Sequence, residues 1–259
     1  MNKYDIIVVG GGPGGYVAAI RAAQLGFKTA VIEKDAMGGV CLNWGCIPTK
    51  ALLKSAKVYK EIVNAESFGI KVEGFEPKLK KMMERSQEVA EKMSKGVSYL
   101  MKKNKVNIIN GYGWLKSNKK IEVTNAIGEV QLYEADHIII ATGGRAKQIE
   151  NIAVNNQRVL DYMGILSLKK APKNLVVVGG GAIGVEFASF FNAIGSNVTI
   201  LEYAKHILPN EDEDVSKELE KILKNKGINI ITEATVQEIE HDDENPKVRI
   251  VKYKKKEDI

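Results

Sequence analysis

The chain has 259 residues, of which 44% are apolar and 27% charged, with a formal net charge of +6. These proportions are ordinary for a globular protein and exclude a disordered chain, a collagen-like fibre and a disulfide-stapled scaffold. No apolar run approaches the roughly 20 residues of a membrane span. The lysines are scattered, densest from Lys252 to Lys256, so no nucleic-acid partner is expected.

The first expected element is a buried strand, Tyr4 to Val9, in which β-branched residues run together. It begins almost at the first residue and leaves no room for a signal peptide, so a cytoplasmic location is expected. Gly10-Gly11-Gly12-Pro13-Gly14-Gly15 follows, then helical spacing with small residues from Tyr16 to Leu25, then a second strand from Lys28 to Ile32 that ends at Glu33.

Gly38 to Lys50 contains both cysteines, Cys41 and Cys46. In a regular helix, positions five apart have Cα atoms roughly 8–9 Å apart, whereas a disulfide requires less than about 7 Å. A bond between them therefore demands a distorted segment, for which Gly45 and Pro48 are suited. Half a zinc site and two buried thiols are the competing readings. Zinc needs two further ligands, the three histidines are scattered, and no metal site is expected. Buried thiols leave the surrounding Gly and Pro without a purpose. Lys50 is either a solvated helix lysine or a cation placed to hold a thiolate.

Residues 66 to 105 are lysine-rich with interleaved methionines and predict a packing pair of helices. Residues 145 to 172 carry no motif and read as a connection. Then the opening pattern returns: strand Leu175 to Val178, glycines Gly179, Gly181 and Gly184, a helix, and strand Asn197 to Leu201 ending at Glu202. Gly10, Gly12, Gly15, Ala19 and Glu33 recur as Gly179, Gly181, Gly184, Ala188 and Glu202, each 169 positions on.

The chemistry of a dinucleotide site explains these residue types. The first Gly permits a tight turn, the second admits a pyrophosphate to the backbone, and the third lets helix and strand pack closely. The helix N-terminus offers N–H groups to phosphate, and the acid at the end of the second strand accepts from ribose hydroxyls. Two copies in register point to two dinucleotide sites. Glu202 would repel a 2′-phosphate and no arginine follows closely, which favours NAD over NADP.

With these motifs in place, the sequence resembles the pyridine nucleotide-disulfide oxidoreductases, and among them the branch that oxidises dihydrolipoamide. Gly12 to Gly26 resembles the first fingerprint of that family, Gly39 to Lys50 its redox-active segment, Ile138-Ile139-Ile140-Ala141-Thr142-Gly143 its ATG motif, and Val177 to Phe191 its NAD fingerprint. Leu42, Ile47, Thr49 and Ala182 favour that branch over the glutathione and mercuric reductases.

The resemblance implies an α/β fold of two Rossmann-like, three-layer dinucleotide-binding domains. Residues 1–147 would bind FAD and residues 148–259 NAD, with the chain stopping before the family's central and interface domains. It implies FAD contacts at Gly10, Gly12, Gly15, Glu33, Lys50, Gly113, Thr142 and Gly143. It implies NAD contacts at Gly179, Gly181, Gly184, Glu202 and Val236. Cys41 would be the interchange thiol and Cys46 the flavin-side thiolate, with Glu186 pairing with Lys50. The implied partners are lipoyl domains of 2-oxoacid dehydrogenase complexes and, for the full-length family, a second copy. The family's catalytic His–Glu pair has no counterpart here. His206 reads as surface, His137 as a core-edge residue, and His241 as part of an acidic turn. Impaired activity of the 259-residue chain is therefore expected. Another flavin disulfide reductase, or a shortened non-catalytic nucleotide-binding protein, is the alternative.

Overall fold

A computed structural model describes residues 2–150, 152–241 and 249–255. The chain opens with β1 (Asn2–Val9), α1 (Pro13–Gln24) and β2 (Thr29–Glu33). Two helices follow, α2 (Gly39–Trp44) and α3 (Cys46–Val63), then a 3-10 turn at Ala65–Phe68 and the long α4 (Leu79–Lys103). Next come β3 (Asn107–Asn110), β4 (Tyr112–Ser117), β5 (Lys120–Thr124) and β6 (Val130–Ile140). Then α5 (Tyr162–Leu166) precedes β7 (Asn174–Val178), α6 (Ala182–Ala193) and β8 (Asn197–Leu201). The chain continues with α7 (Glu213–Asn225), β9 (Asn229–Ile231), β10 (Ala234–His241) and β11 (Arg249–Lys255).

Residues 1–48 and 85–145 form one compact unit, and residues 49–84 and 146–259 a second. The first unit holds a six-stranded sheet in the order β3-β2-β1-β6-β5-β4. β3, β2, β1 and β6 run parallel, while β6, β5 and β4 form an antiparallel meander. The apolar run of β1 is explained by burial on both faces, as a central parallel strand requires. Its buried residues serve two cores. Tyr4 and Ile7 pack with Ala30, Ile32, Ile121, Val123 and Tyr133 on the meander side. Val8 packs with Val31, Ala19, Met37, Leu42, Val97 and Met101 on the helix side. This unit is thus three layers: helices, parallel sheet and meander.

The second unit repeats the motif on a smaller scale. β7, β8 and β9 form a parallel sheet and β10–β11 an antiparallel ribbon with a bulge between Val236 and Glu238. Its core includes Phe187, Phe190 and Phe191 of α6, Ile200 of β8 and Leu223 of α7. The alternation of apolar and polar residues near the tail forms β11, and residues 247 and 248 lie outside the described residues.

The expected helix pair in 66–105 is instead a single 25-residue helix preceded by a 3-10 turn and an irregular stretch. Gly69 closes the turn with a φ of 75°, and Pro77 cannot sit in a helix interior, so helical structure resumes only at Leu79. The connection 145–172 contains the short α5, capped by the Asp161 carboxylate, which accepts from Met163 N and Gly164 N.

Candidate functional site

The two glycine loops are built alike. Gly10 and Gly179 have φ of 106° and 105°, the left-handed region that a glycine enters freely. A Cβ on Gly15 would run into the carbonyl oxygen of Gly10, and one on Gly184 into that of Gly179. The third glycine is therefore fixed by helix–strand packing. At the second glycine the space is open. A Cβ on Gly12 would meet only Gly39 Cα at 3.9 Å, and one on Gly181 would meet nothing within 4 Å.

Each loop feeds a helix whose first N–H groups have no side-chain cap. Neither Gly12 nor Gly181 supplies one, and neither first turn contains an acid. By contrast, α5 and α7 are capped by Asp161 and Asp212. The uncapped N-termini of α1 and α6, beside open glycine backbone, suit a pyrophosphate.

Glu33 and Glu202 play a structural part that their strand-end position does not reveal. Glu33 Oε2 accepts from Gly11 N at 2.7 Å and Oε1 from Asp35 N at 2.9 Å. Glu202 Oε2 accepts from Gly180 N at 2.5 Å and Oε1 from Ala204 N at 2.7 Å. Each carboxylate braces its own glycine loop and retains lone pairs for ribose hydroxyls.

The first unit gathers further site candidates around its loop. Ala141 O lies where a Cβ on Gly10 would stand, so the segment leading into Thr142 and Gly143 passes against the first glycine. Gly113, on β4, sits over the ends of β1 and β2; a Cβ there would touch Ile32 Cγ2 at 3.3 Å and Val9 Cγ1 at 3.5 Å.

Cys41 and Cys46 form a disulfide with Cα atoms 4.7 Å apart. The distortion needed for this falls at Gly45, which breaks the helix between α2 and α3 with φ −133° and ψ −115°. A Cβ on Gly45 would stand 2.9 Å from Val40 O and 3.1 Å from Cys41 Cα, so the close approach requires glycine. Pro48 lies in the first turn of α3, where its missing N–H removes no helix bond. The segment rests on the glycine loop: Gly38 N donates to Gly11 O at 2.8 Å, and Gly39 adopts φ 59° against Gly12.

In the second unit, Lys50 Nζ of α3 donates to Glu186 Oε1 of α6 at 2.6 Å. Val236 is half-buried on β10, whose first residue, Ala234, donates its N–H to Glu202 O at 2.9 Å. Of the histidines, His137 is exposed on β6 rather than a core-edge residue, because its side chain leaves the buried part of that strand. His206 is half-buried, its Nδ1 3.1 Å from Ile207 O. The acidic turn after residue 241 lies outside the described residues. Among the described residues, no group of three or more His, Cys, Asp or Glu side chains could hold a metal, and no helix is long and apolar enough to cross a membrane.

Sequence reasoning missed Asn43 and Ser94. Asn43 Nδ2 donates to Met37 O at 3.1 Å and Gly39 O at 2.9 Å, and Ser94 Oγ donates to the same Met37 O at 2.7 Å. An amide lying between two cysteines was the available signal.

Comparison with known proteins agrees with this geometry. The family described as pyridine nucleotide-disulphide oxidoreductase matches residues 4–259. A dihydrolipoyl dehydrogenase of Zymomonas mobilis is 49% identical over 245 residues, covering 94% of this chain and 52% of the relative. That of Bacillus subtilis is 44% identical, covering 91% of this chain and 51% of the relative. A solved LpdA from Mycobacterium tuberculosis superimposes with a TM-score of 0.87 at 26% identity, covering 98% of this chain and 55% of that one. The chain thus spans about half the length of the curated relatives it matches. With its paired glycine loops, its disulfide and a match over nearly every residue, the chain belongs to the pyridine nucleotide-disulphide oxidoreductase family.

Proposed function

We propose that this chain carries the disulfide-exchange and nucleotide-binding part of a dihydrolipoyl dehydrogenase, which oxidises protein-bound dihydrolipoamide with NAD+ as acceptor. The observation that carries this reading is the Cys41–Cys46 disulfide seated on a glycine loop built for a dinucleotide. Members of the family use FAD and NAD(H). Residues 1–147 form the FAD-binding part, through Gly10, Gly12, Gly15, Glu33, Gly113, Thr142, Gly143 and Lys50. Residues 148–259 form the NAD-binding part, through Gly179, Gly181, Gly184, Glu202 and Val236.

The disulfide performs the exchange. A substrate thiolate attacks Cys41 Sγ, a substrate–Cys41 bond forms, and Cys46 leaves as thiolate. The second substrate thiol, on losing its proton, attacks the substrate sulfur of that mixed disulfide. Lipoamide is released and Cys41 departs as a thiolate. Two electrons then reside on the protein dithiol, and the protons go to solvent or a base. FAD, when bound, supplies the two-electron carrier between that dithiol and NAD+. Lys50, held by Glu186, places a cation one helical turn beyond Cys46 in sequence, and a nearby cation favours thiolate. The partners of this reading are lipoyl domains of 2-oxoacid dehydrogenase complexes and, for the full-length family, a second copy. Its compartment is the reducing cytoplasm, where a cysteine pair cycles rather than persists as a staple.

Mixed-disulfide trapping tests the assignment. Cys46→Ser chain incubated with lipoamide and quenched by alkylation should carry one lipoyl adduct on Cys41. Cys41→Ser, treated alike, should carry far less. Equal labelling of the two variants, or preferential labelling of Cys46, would overturn the assignment of roles.

A further inference from the structure

Helix α2 has little to hold it in place. It is six residues long, its N-cap supplies no side-chain bond, and it ends at the broken geometry of Gly45. A helix of that length is unstable by itself in water. Two anchors compensate. Leu42 is buried in the helix-side core with Met37, Val97 and Met101. Opposite in character is a polar clamp: both protons of the Asn43 amide are used, on Met37 O and Gly39 O, and Ser94 of α4 donates a third hydrogen bond to Met37 O. Met37 is itself fixed, since its side chain is buried in the same core. Its carbonyl is therefore a rigid post to which α2 and α4 are both tied.

We propose that Asn43, supported by Ser94, is a positioning residue that sets the redox equilibrium of the Cys41–Cys46 pair, an inference that rests on the disulfide-exchange reading above. While the disulfide is intact, the covalent bond keeps α2 in the geometry in which the clamp is fully made. After reduction only noncovalent anchors hold α2, namely the clamp, Leu42 and Cys41 packed in the helix-side core and Gly38 N on Gly11 O, and α2 can draw away with part of the clamp lost. Holding the two thiols together raises the effective concentration of one thiol at the other and favours closure. Loosening the clamp gives the dithiol freedom that the disulfide lacks. The equilibrium then moves toward the dithiol and closure slows. A merely structural residue would lower stability without moving that equilibrium.

The test equilibrates the full 259-residue chain without oxygen in mixtures of reduced and oxidised glutathione, then quenches with maleimide and counts labelled thiols by mass. Each protein disulfide reduced consumes two reduced glutathiones and yields one oxidised glutathione. Loss of two ordinary hydrogen bonds made mainly in the disulfide-bonded state converts to a shift of about tenfold toward the dithiol for Asn43→Ala. Ser94→Ala should shift it about threefold in the same direction, and Ser94→Thr, which keeps the hydroxyl, should match the native chain. Ile121→Val, which removes a buried methylene from the meander-side core, should leave the equilibrium unchanged. The inference is overturned if Asn43→Ala titrates within twofold of the native chain, or if Ile121→Val shifts it equally. If Asn43→Ala does not fold, the comparison of Ser94→Ala with Ser94→Thr decides. A chain whose cysteines never titrate as a pair would instead bring down the disulfide-exchange reading itself.

Discussion

The second and third glycines of the first loop should respond oppositely to the same added methyl group. In Gly15→Ala the new Cβ falls well inside the Gly10 carbonyl oxygen, far short of the roughly 3.3 Å that a carbon–oxygen contact needs. Helix α1 or the turn after β1 must move by about 1 Å or more, and overpacking of this kind costs about 2–3 kcal/mol. In Gly12→Ala the Cβ enters open space, with Gly39 Cα at 3.9 Å, and φ is an ordinary −73°. Its cost to the fold should stay within about 0.5 kcal/mol, a reduced unfolded-state entropy offsetting a poorer N-cap. Both tryptophans, Trp44 and Trp114, lie in the first unit, so their fluorescence reports its unfolding. With a urea slope of about 2 kcal/mol/M, Gly15→Ala should lower the midpoint by about 1 M, and Gly12→Ala should barely move it. FAD affinity should behave the other way for Gly12→Ala, falling at least about tenfold because the methyl group occupies the pyrophosphate space. A Gly15→Ala chain as stable as the native one, or a Gly12→Ala chain that binds FAD normally, would refute the reasoning.

Three further outcomes are expected. Glu202→Ala removes the acceptor from Gly180 N and Ala204 N, which should destabilise the second unit by about 2 kcal/mol, speed hydrogen exchange at both amides and weaken NAD binding in a titration. Lys50→Met breaks a partly exposed ion pair worth at most about 1 kcal/mol, so thermal stability should hardly change while dithiol reduction of FAD bound to the reconstituted chain slows steeply. Burial, and secondarily the Tyr4 phenol, raises the pKa of Tyr133. The unfolded chain therefore gives up that proton first, and stability should decline as pH rises past the ordinary tyrosine value of about 10. Tyr133→Phe should flatten that decline in melting curves taken between about pH 9 and 11.

What could be read from the sequence was whatever local geometry forces. Gly10, Gly15, Gly179 and Gly184 are required by turns and backbone approaches only a few residues long, so their spacing alone located both strand–turn–helix units. The Cys41–Cys46 spacing likewise required a break, and Gly45 supplies it. Features set by distant partners were not legible. Nothing in the run around Glu33 tells that Gly11 N will face its carboxylate, 22 positions away. Ser94 and Met37 are 57 positions apart and meet only because α4 packs on the loop after β2. The false helix pair came from reading charge and methionine periodicity through Gly69 and Pro77, where local backbone chemistry overrides it.

The joining of a dinucleotide loop to a redox disulfide is tested most directly by absorbance. The chain is reconstituted with FAD and reduced anaerobically with one two-electron equivalent. A long-wavelength charge-transfer band should appear in the native chain on this reduction, be present without any reductant in Cys41→Ser, where Cys46 is already a free thiolate beside oxidised FAD, and be absent in Cys46→Ser. Bound FAD that gives no such band in either the native chain or Cys41→Ser, or a band that survives in Cys46→Ser, would contradict the assignment of Cys46 as the flavin-side thiolate.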